Sequence, residues 1–218
     1  MLFPGHINSW YPIETAEIAL SHLLSSLRIG DGDDGKYLIQ SSTVQFFPEF
    51  YEASHSLGPS TITLEMKSVD TSTFHTTGNA WSTETGAELY SVTAHVICTD
   101  PKTKKGKSLP AKIEDVMRSV ESKEPICQLP HLVKPGGQEY HTVSTEVLPS
   151  DMGFDGHLSQ EAFVRLCHNV GSILAHSGRF THVNHAGELS LKRMKSLECT
   201  WYGEALCGDK LASTCGRN

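Results

Sequence analysis

The sequence contains no apolar run close to the roughly 20 residues that a membrane-spanning helix requires, so it predicts no membrane span. A basic N-terminal region followed by a long apolar stretch, the mark of a secretory signal, is also missing. Acidic residues outnumber basic ones by 25 to 18, a formal net charge of −7. This balance argues against general binding to nucleic acid or anionic membranes. We expect a cytoplasmic protein, with delivery to an organelle left open.

Motifs for several kinds of chemistry are absent as well. The six cysteines are scattered, without a C-x-x-C pair or zinc-type spacing, and we expect reduced thiols. No G-x-S-x-G motif occurs, which excludes the usual serine nucleophile of α/β-hydrolases, and no glycine-rich phosphate loop is present. His182 and His185 lie three residues apart but no third ligand is placed. The sequence therefore predicts neither a metal site nor a cofactor.

A glycine-histidine turn that leads into a long amphipathic segment occurs twice. The first copy is Gly5-His6-Ile7-Asn8, and the second contains Gly156-His157. The segments that follow, residues 11–29 and 161–177, have apolar residues at helical spacing. A helix start combines unpaired backbone N–H groups with the positive end of the helix dipole, so it can bind an anion or polarise a carbonyl group. Glycine lets a ligand approach the backbone there.

The rest of the chain alternates between apolar and polar residues as strands do. We predict strands over residues 37–48, 61–69, 74–82 and 88–99, a short helix over 111–120, a strand over 141–148, and one strand or a bent pair over 189–206. Prolines and glycines in residues 121–139 indicate a linker. We expect a first unit over 1–120, a linker over 121–139 and a second unit over 140–218.

Residues 151–166 resemble the D-x-D-x-x-G-H-(V/I)-N-N turn and helix of hotdog-fold acyl thioesterases, and Gly5-His6-Ile7-Asn8 is similar to part of it. Tyr202-Gly203-Glu204-Ala205 and Gly208-Asp209-Lys210-Leu211 resemble that family's Y-x-x-E-(A/C) and G-D-x-L segments. The resemblance implies an α+β double hotdog, in which each unit is a long helix wrapped by a curved antiparallel sheet. Compared with this template, the first unit lacks its first strand and the second lacks its last strands.

The same resemblance implies hydrolysis of an acyl-CoA or an acyl-carrier-protein thioester to a free fatty acid and a thiol. The acyl tail would lie between helix and sheet, against residues such as Leu20, Leu24, Phe163 and Leu166. The two units would pair with each other within the chain, and a homodimer stays open. A basic run, Lys102, Lys104, Lys105 and Lys107, is either a solvated loop or a contact to coenzyme A phosphates or an acidic carrier.

The resemblance also implies the site residues. The catalytic candidates are Asp151, Asp155, His157 and Glu204, and the substrate-binding candidates are Gly156, Gly5, His6, Asn8 and Glu17. The family's usual carboxylate position holds Gly153 in the second copy and Leu2 in the first. Each candidate also has a structural interpretation, since Asp and Asn side chains commonly stabilise turns or cap helices.

Two other interpretations accompany the hydrolase. Because Gly153 replaces the expected carboxylate, the chain could be a degenerate hotdog protein that binds acyl thioesters or partner subunits without hydrolysis. Hydration or dehydration of a hydroxyacyl thioester ranks last, because a convincing His/Asp pattern for it is lacking.

Overall fold

The structure, a computed structural model, describes residues 11–26, 35–52, 60–103, 105–118, 140–153, 156–177, 195–200 and 203–216. Two compact units are present, each assembled from separate parts of the chain. Unit 1 contains Met1–Leu129 and Met194–Tyr202, and unit 2 contains Pro130–Arg193 and Gly203–Asn218. No helix in the described ranges is long and apolar enough to cross a membrane.

Unit 1 begins with helix α1, Tyr11–Ser26. Pro12 lies in its first turn, where a missing N–H group costs no intrahelical bond. Ile13 and Leu20, one apolar face of the helix, are buried at 1% and 7% exposure. The predicted helix is confirmed over this range, and its predicted last residues, 27–29, lie outside the described residues.

The sheet of unit 1 follows the predicted alternation closely. Its strands are β1 (Lys36–Phe46), β2 (Ser60–Val69), β3 (Thr73–Ser82) and β4 (Glu88–Thr99). Between β1 and β2 lies a short helix that the sequence did not predict, α2 (Pro48–Glu52), which buries Phe50 completely. Its ring lies 5.1 Å from that of Phe46 at the end of β1. The proline that ends the strand thus also begins a helical turn that covers the core.

The fifth strand of this sheet comes from far along the chain. Strand β6, Ser196–Thr200, pairs antiparallel with β1, and the sheet order is β2-β3-β4-β1-β6. The sequence placed residues 189–206 in the second unit, whereas this strand belongs to the first sheet. The pairing covers an edge of β1 that would otherwise expose unpaired backbone groups. Sequence patterns cannot show this, because a strand's partner is not encoded locally.

One face of the sheet packs against α1 and a second helix, α3 (Ala111–Arg118). The core between them is a cluster of apolar residues that these elements bury together: Leu20, Met66, Phe74, Val96, Cys98, Leu109 and Ile113. Burial of such side chains contributes about 1.5–3 kcal/mol each to the folding of unit 1. The helix predicted over 111–120 is confirmed as far as Arg118, and residues 119–120 are not described.

Unit 2 contains a long helix and a two-stranded antiparallel sheet. The strands are β5 (Tyr140–Glu146) and β7 (Lys210–Gly216), and the helix is α4 (Gln160–His176). Ala162, Val164, Leu166 and Val170 form the buried face of α4. The linker predicted over residues 121–139 lies outside the described residues, so its boundaries stay a prediction.

Candidate active site

The segment between β5 and α4 is a compact turn held by backbone hydrogen bonds. A single 3-10 turn, Pro149–Asp151, follows β5, and Met152 then forms an isolated antiparallel bridge with Leu158. The N–H of Gly153 donates to the carbonyl oxygen of His157 at 2.7 Å. Gly156 has a φ of +76°, a left-handed conformation that favours glycine because it has no Cβ. The turn therefore holds His157 in one position.

A second segment of unit 2, residues 203–206, brings an acidic residue to this turn. The N–H of Leu158 donates to the carbonyl oxygen of Ala205 at 2.8 Å. This hydrogen bond brings the backbone at Glu204 close to the backbone at His157. As a result, His157 Nε2 lies 3.1 Å from Glu204 Oε2. The side chains are 20% and 31% exposed, so the pair is partly shielded yet reachable from solvent. Of the predicted catalytic residues, these two are brought together.

Asp151 has a different environment. Its Oδ1 accepts a hydrogen bond from Arg165 Nη2 at 2.8 Å, and its Oδ2 accepts one from the N–H of Leu148 at 2.9 Å. The residue is only 2% exposed. Arg165, on α4, also contacts Glu161 one turn earlier at 3.3 Å. This carboxylate thus ties the turn to the helix, and its oxygens are engaged in that role.

A serine caps the helix that follows this turn. Helix α4 begins at Gln160, and Ser159 before it accepts the N–H of Ala162 on its hydroxyl oxygen at 3.1 Å, as an N-cap does. Gly156 and His157 therefore precede the first helical turn, and the N–H of Gly156 donates to the Gly153 carbonyl oxygen at 3.1 Å. The predicted order, a Gly156-His157 turn followed by a helix over 161–177, is confirmed to within one residue at each end, and Ser159 is the residue that caps the helix.

Of the remaining predicted site residues, Gly156 directly precedes His157, and most of the others cannot be placed. Gly5, His6, Asn8 and Asp155 lie outside the described residues. Glu17 is half-buried on α1 in unit 1. His168 on α4 lies in unit 2, where burial lowers the pKa of its imidazole.

An apolar cleft opens in unit 1 between α1 and the sheet. Its walls come from both elements and are almost entirely hydrocarbon: Thr15, Ala16, Leu20, Ile39, Ile62, Leu64, Thr76, Gly78, Tyr90, Val92 and Ala94. The hydroxyl groups of Thr15 and Tyr90 lie 2.7 Å apart. Leu20 was predicted to line an acyl slot, and it does line this cleft, while Leu24 packs against the neighbouring core.

Among the described residues, no group of three or more His, Cys, Asp or Glu side chains is placed to hold a metal ion. Cys98, Cys167, Cys199 and Cys207, which lie in the described ranges, form no disulfide bond.

No family model and no curated protein sequence matches this chain significantly. Solved structures do. An acyl-ACP thioesterase from Bacteroides thetaiotaomicron has a TM-score of 0.61 at 11% identity, with 97% of this chain and 80% of that chain covered. A 12:0-ACP thioesterase from Umbellularia californica has a TM-score of 0.65 at 12% identity, covering 95% and 75%. The chain has the hotdog fold. At such identities the likeness concerns the fold, and the chemistry must be argued from the site.

Sequence reasoning missed two features of these sites. Arg165, the partner of Asp151, was overlooked, although Glu161 and Arg165 form a readable i,i+4 pair. The Thr15–Tyr90 hydroxyl pair joins α1 to β4. Local sequence patterns do not predict a contact between residues so far apart in the chain.

Proposed function

We propose that this hotdog protein hydrolyses acyl thioesters, releasing a fatty acid and a thiol. The observation that carries the proposal is the His157–Glu204 pair, whose Nε2 to Oε2 distance is 3.1 Å. A histidine oriented by a carboxylate is a common general base. The fold supports this proposal, because the solved structures named above are thioesterases.

In the proposed reaction, Glu204 accepts a hydrogen bond from His157 Nε2–H and so leaves Nδ1 as the basic nitrogen. Nδ1 takes a proton from a water molecule, whose oxygen attacks the thioester carbonyl carbon. The carbon–sulfur bond breaks, and the imidazolium returns its proton to the departing thiolate. Gly156 supports substrate approach, because a Cβ placed on it would meet no atom of the described residues within 4 Å.

Asp151 is not part of this proposed machinery, since its carboxylate is bound to Arg165 and to the Leu148 N–H. Asp155, Gly5, His6, Asn8 and Glu17 stay predicted site residues without a geometric argument from the described residues.

We further propose the finer features of the substrate and setting. The thiol carrier is coenzyme A or an acyl carrier protein, and the exposed Lys102 and Lys105 offer it positive charge. The proposal also includes a tandem pairing of two hotdog units within the chain, a cytoplasmic location and a role in fatty acid metabolism.

The direct test is thiol release by the purified full chain, offered short, medium and long acyl groups on coenzyme A and on acyl carrier protein. We expect release above the buffer rate with at least one acyl length, and a preference between the two carriers identifies the thiol. If no combination releases thiol while acyl thioesters still bind, the chain is a binding protein and the hydrolase proposal is wrong.

A further inference from the structure

A second turn of unit 2 follows Glu204 and is fixed by the end of a buried strand. The N–H of Val147, a residue that is 1% exposed, donates to the carbonyl oxygen of Asp209 at 2.9 Å. The N–H of Gly208 donates to the Val147 carbonyl oxygen at the same distance. Gly208 has a φ of +88°, a left-handed conformation that glycine adopts without strain. These contacts fix the backbone of Asp209 beside the end of β5.

From this position Asp209 binds both backbone groups of Leu206. Its carboxylate Oδ2 accepts the N–H of Leu206 at 2.8 Å, and its own N–H donates to the Leu206 carbonyl oxygen at 3.0 Å. The Leu206 N–H belongs to the same peptide group as the Ala205 carbonyl oxygen, which accepts the N–H of Leu158 at 2.8 Å. This peptide group is therefore held at both ends, by Asp209 on one side and by the turn that carries His157 on the other.

The two hydrogen bonds of this peptide group strengthen each other. An acceptor at the N–H polarises the peptide and increases the negative charge on its carbonyl oxygen, and a carboxylate is a stronger acceptor than a neutral oxygen. The Ala205 carbonyl oxygen therefore binds the Leu158 N–H more firmly than it would without Asp209. That backbone hydrogen bond accompanies the approach of Glu204 to 3.1 Å from His157 Nε2.

The same arrangement recurs in the turn that leads to His157. The N–H of Leu148 donates to Asp151 Oδ2, and the N–H of Asp151 donates to the Leu148 carbonyl oxygen, both at 2.9 Å. The Asp151 carboxylate is buried and also binds Arg165, whereas Asp209 is exposed. Water can replace an exposed acceptor at little cost in stability, but it does not hold the peptide group in one place. The role of Asp209 therefore concerns the geometry of the site more than the stability of the fold.

Resting on the thioester hydrolase function proposed above, we propose that Asp209 is a positioning residue for the catalytic pair. It holds the Ala205–Leu206 peptide group and thereby keeps the Glu204 carboxylate against His157, without touching the reacting atoms. A displaced Glu204 would leave the imidazole free to turn, and general-base catalysis depends on the orientation of the base. Loss of the Asp209 carboxylate therefore slows the chemical step and leaves substrate binding largely unchanged.

Kinetics of thiol release by the full chain test this proposal. The variants are Asp209→Ala, Asp209→Asn, Glu204→Gln and the double variant Asp209→Ala with Glu204→Gln. We expect Asp209→Ala to lower kcat about tenfold while KM stays close to wild type. Asp209→Asn should recover most of the rate, because its amide oxygen can still accept the Leu206 N–H. The double variant should be no slower than Glu204→Gln, since Asp209 acts through Glu204.

Asp70→Ala is the matched control. Asp70 is also exposed and its carboxylate also accepts a backbone N–H, that of Thr71 at 2.7 Å, but it lies in a turn of unit 1, so the rate should equal that of wild type. Amide hydrogen exchange provides a second measurement that does not require hydrolysis. In Asp209→Ala the amides of Leu158 and Leu206 should exchange faster, while the amides of β5 exchange as in wild type.

Three kinetic results would overturn the proposal: wild-type kcat in Asp209→Ala, equal losses with alanine and asparagine, or a double variant slower than Glu204→Gln. If wild type itself releases no thiol, the hydrolase proposal fails on its own. Hydrogen exchange then still decides whether Asp209 holds the Ala205–Leu206 peptide group. Faster exchange confined to Leu158 and Leu206 supports this role, and unchanged exchange overturns it.

Discussion

At the scale of single residues, Asp151 combines nearly complete burial with two hydrogen-bonded partners. In Asp151→Asn the amide keeps one acceptor oxygen, so either Arg165 or the Leu148 N–H loses its acceptor on this side chain, while Arg165 keeps its contact with Glu161. Losing one partner of a buried, hydrogen-bonded charge is costly because the other partner stays desolvated. The Arg165 side chain is 31% exposed, so water can partly replace the lost carboxylate. The loss of stability is therefore smaller than for a fully buried pair.

We therefore predict that Asp151→Asn lowers the free energy of unfolding by about 2–3 kcal/mol, measured by urea denaturation. Arg165→Gln should cost less, because the Leu148 N–H keeps its acceptor. Glu84→Gln, in the exposed turn between β3 and β4, is the control and should leave stability unchanged. If Asp151→Asn unfolds at the wild-type urea concentration yet abolishes thiol release, its role is catalytic and the structural interpretation is wrong.

A second residue-scale feature is a stacked histidine pair on β3 and β4. The rings of His75 and His95 lie 4.5 Å apart at 29°. Within the described part of the chain, His75 Nε2 and both ring nitrogens of His95 have no hydrogen-bond partner. Burial lowers the pKa of His75 below its ordinary 6.5. Burial, and then repulsion from His75, lowers the pKa of His95 in the same way. Both rings are therefore neutral in the folded protein at neutral pH.

The sign of the pH dependence follows. Above about pH 6.5 the two histidines are neutral in both the folded and the unfolded protein, so they do not change the stability. Below that pH the unfolded chain binds protons first, so the free energy of unfolding falls as the pH decreases. We predict that the thermal unfolding midpoint drops between pH 6.5 and pH 5, and that His75→Leu with His95→Leu reduces the drop. His22→Gln, exposed on α1, is the matched control. An unchanged acid drop in the double variant would contradict the assignment.

At the scale of secondary structure elements, β6 protects the edge of β1. The N–H of Phe46 donates to the Lys195 carbonyl oxygen at 2.9 Å. Antiparallel pairs alternate between hydrogen-bonded and non-hydrogen-bonded. Leu197, opposite Val44, is therefore in a hydrogen-bonded pair, and Glu198, opposite Thr43, is not.

This alternation supplies a matched comparison. Leu197→Pro removes an N–H that bonds to β1, so we predict a loss of about 1–3 kcal/mol in stability and faster hydrogen exchange along β1. Glu198→Pro, whose N–H faces away from β1, should cost clearly less. Equal costs for the two variants would show that the β1–β6 pairing contributes little.

The elements differ in how well the sequence predicts them. Strands β2, β3 and β4 lie within one residue of the predicted ranges, because alternation and flanking turns are local signals. The pairing of β6 with β1 could not be predicted, since it joins distant parts of the chain. In the site, the family resemblance suggested His157 and Glu204, but only coordinates show that Leu158 and Ala205 bring them together. Asp151 was a catalytic candidate because the sequence alone does not distinguish a turn aspartate that faces substrate from one that pairs with Arg165.

At the scale of the whole molecule, the protein combines a hotdog fold, an apolar cleft in unit 1 and a histidine–carboxylate pair in unit 2. The resembled thioesterases usually have a carboxylate at their catalytic position. In this chain Gly153 occupies the corresponding position. Because its N–H bonds to the His157 carbonyl oxygen, Gly153 helps to hold the histidine. We therefore propose that His157 itself is the general base.

The central claim is that His157 and Glu204 act as one catalytic unit, and a double-mutant cycle tests it most directly. The measurement is kcat/KM for thiol release by wild type, His157→Gln, Glu204→Gln and the double variant. We predict that His157→Gln loses about 10²–10⁴-fold, that Glu204→Gln loses less, and that the double variant is no slower than His157→Gln. Fully additive losses, or a His157→Gln protein with wild-type activity, would contradict the account.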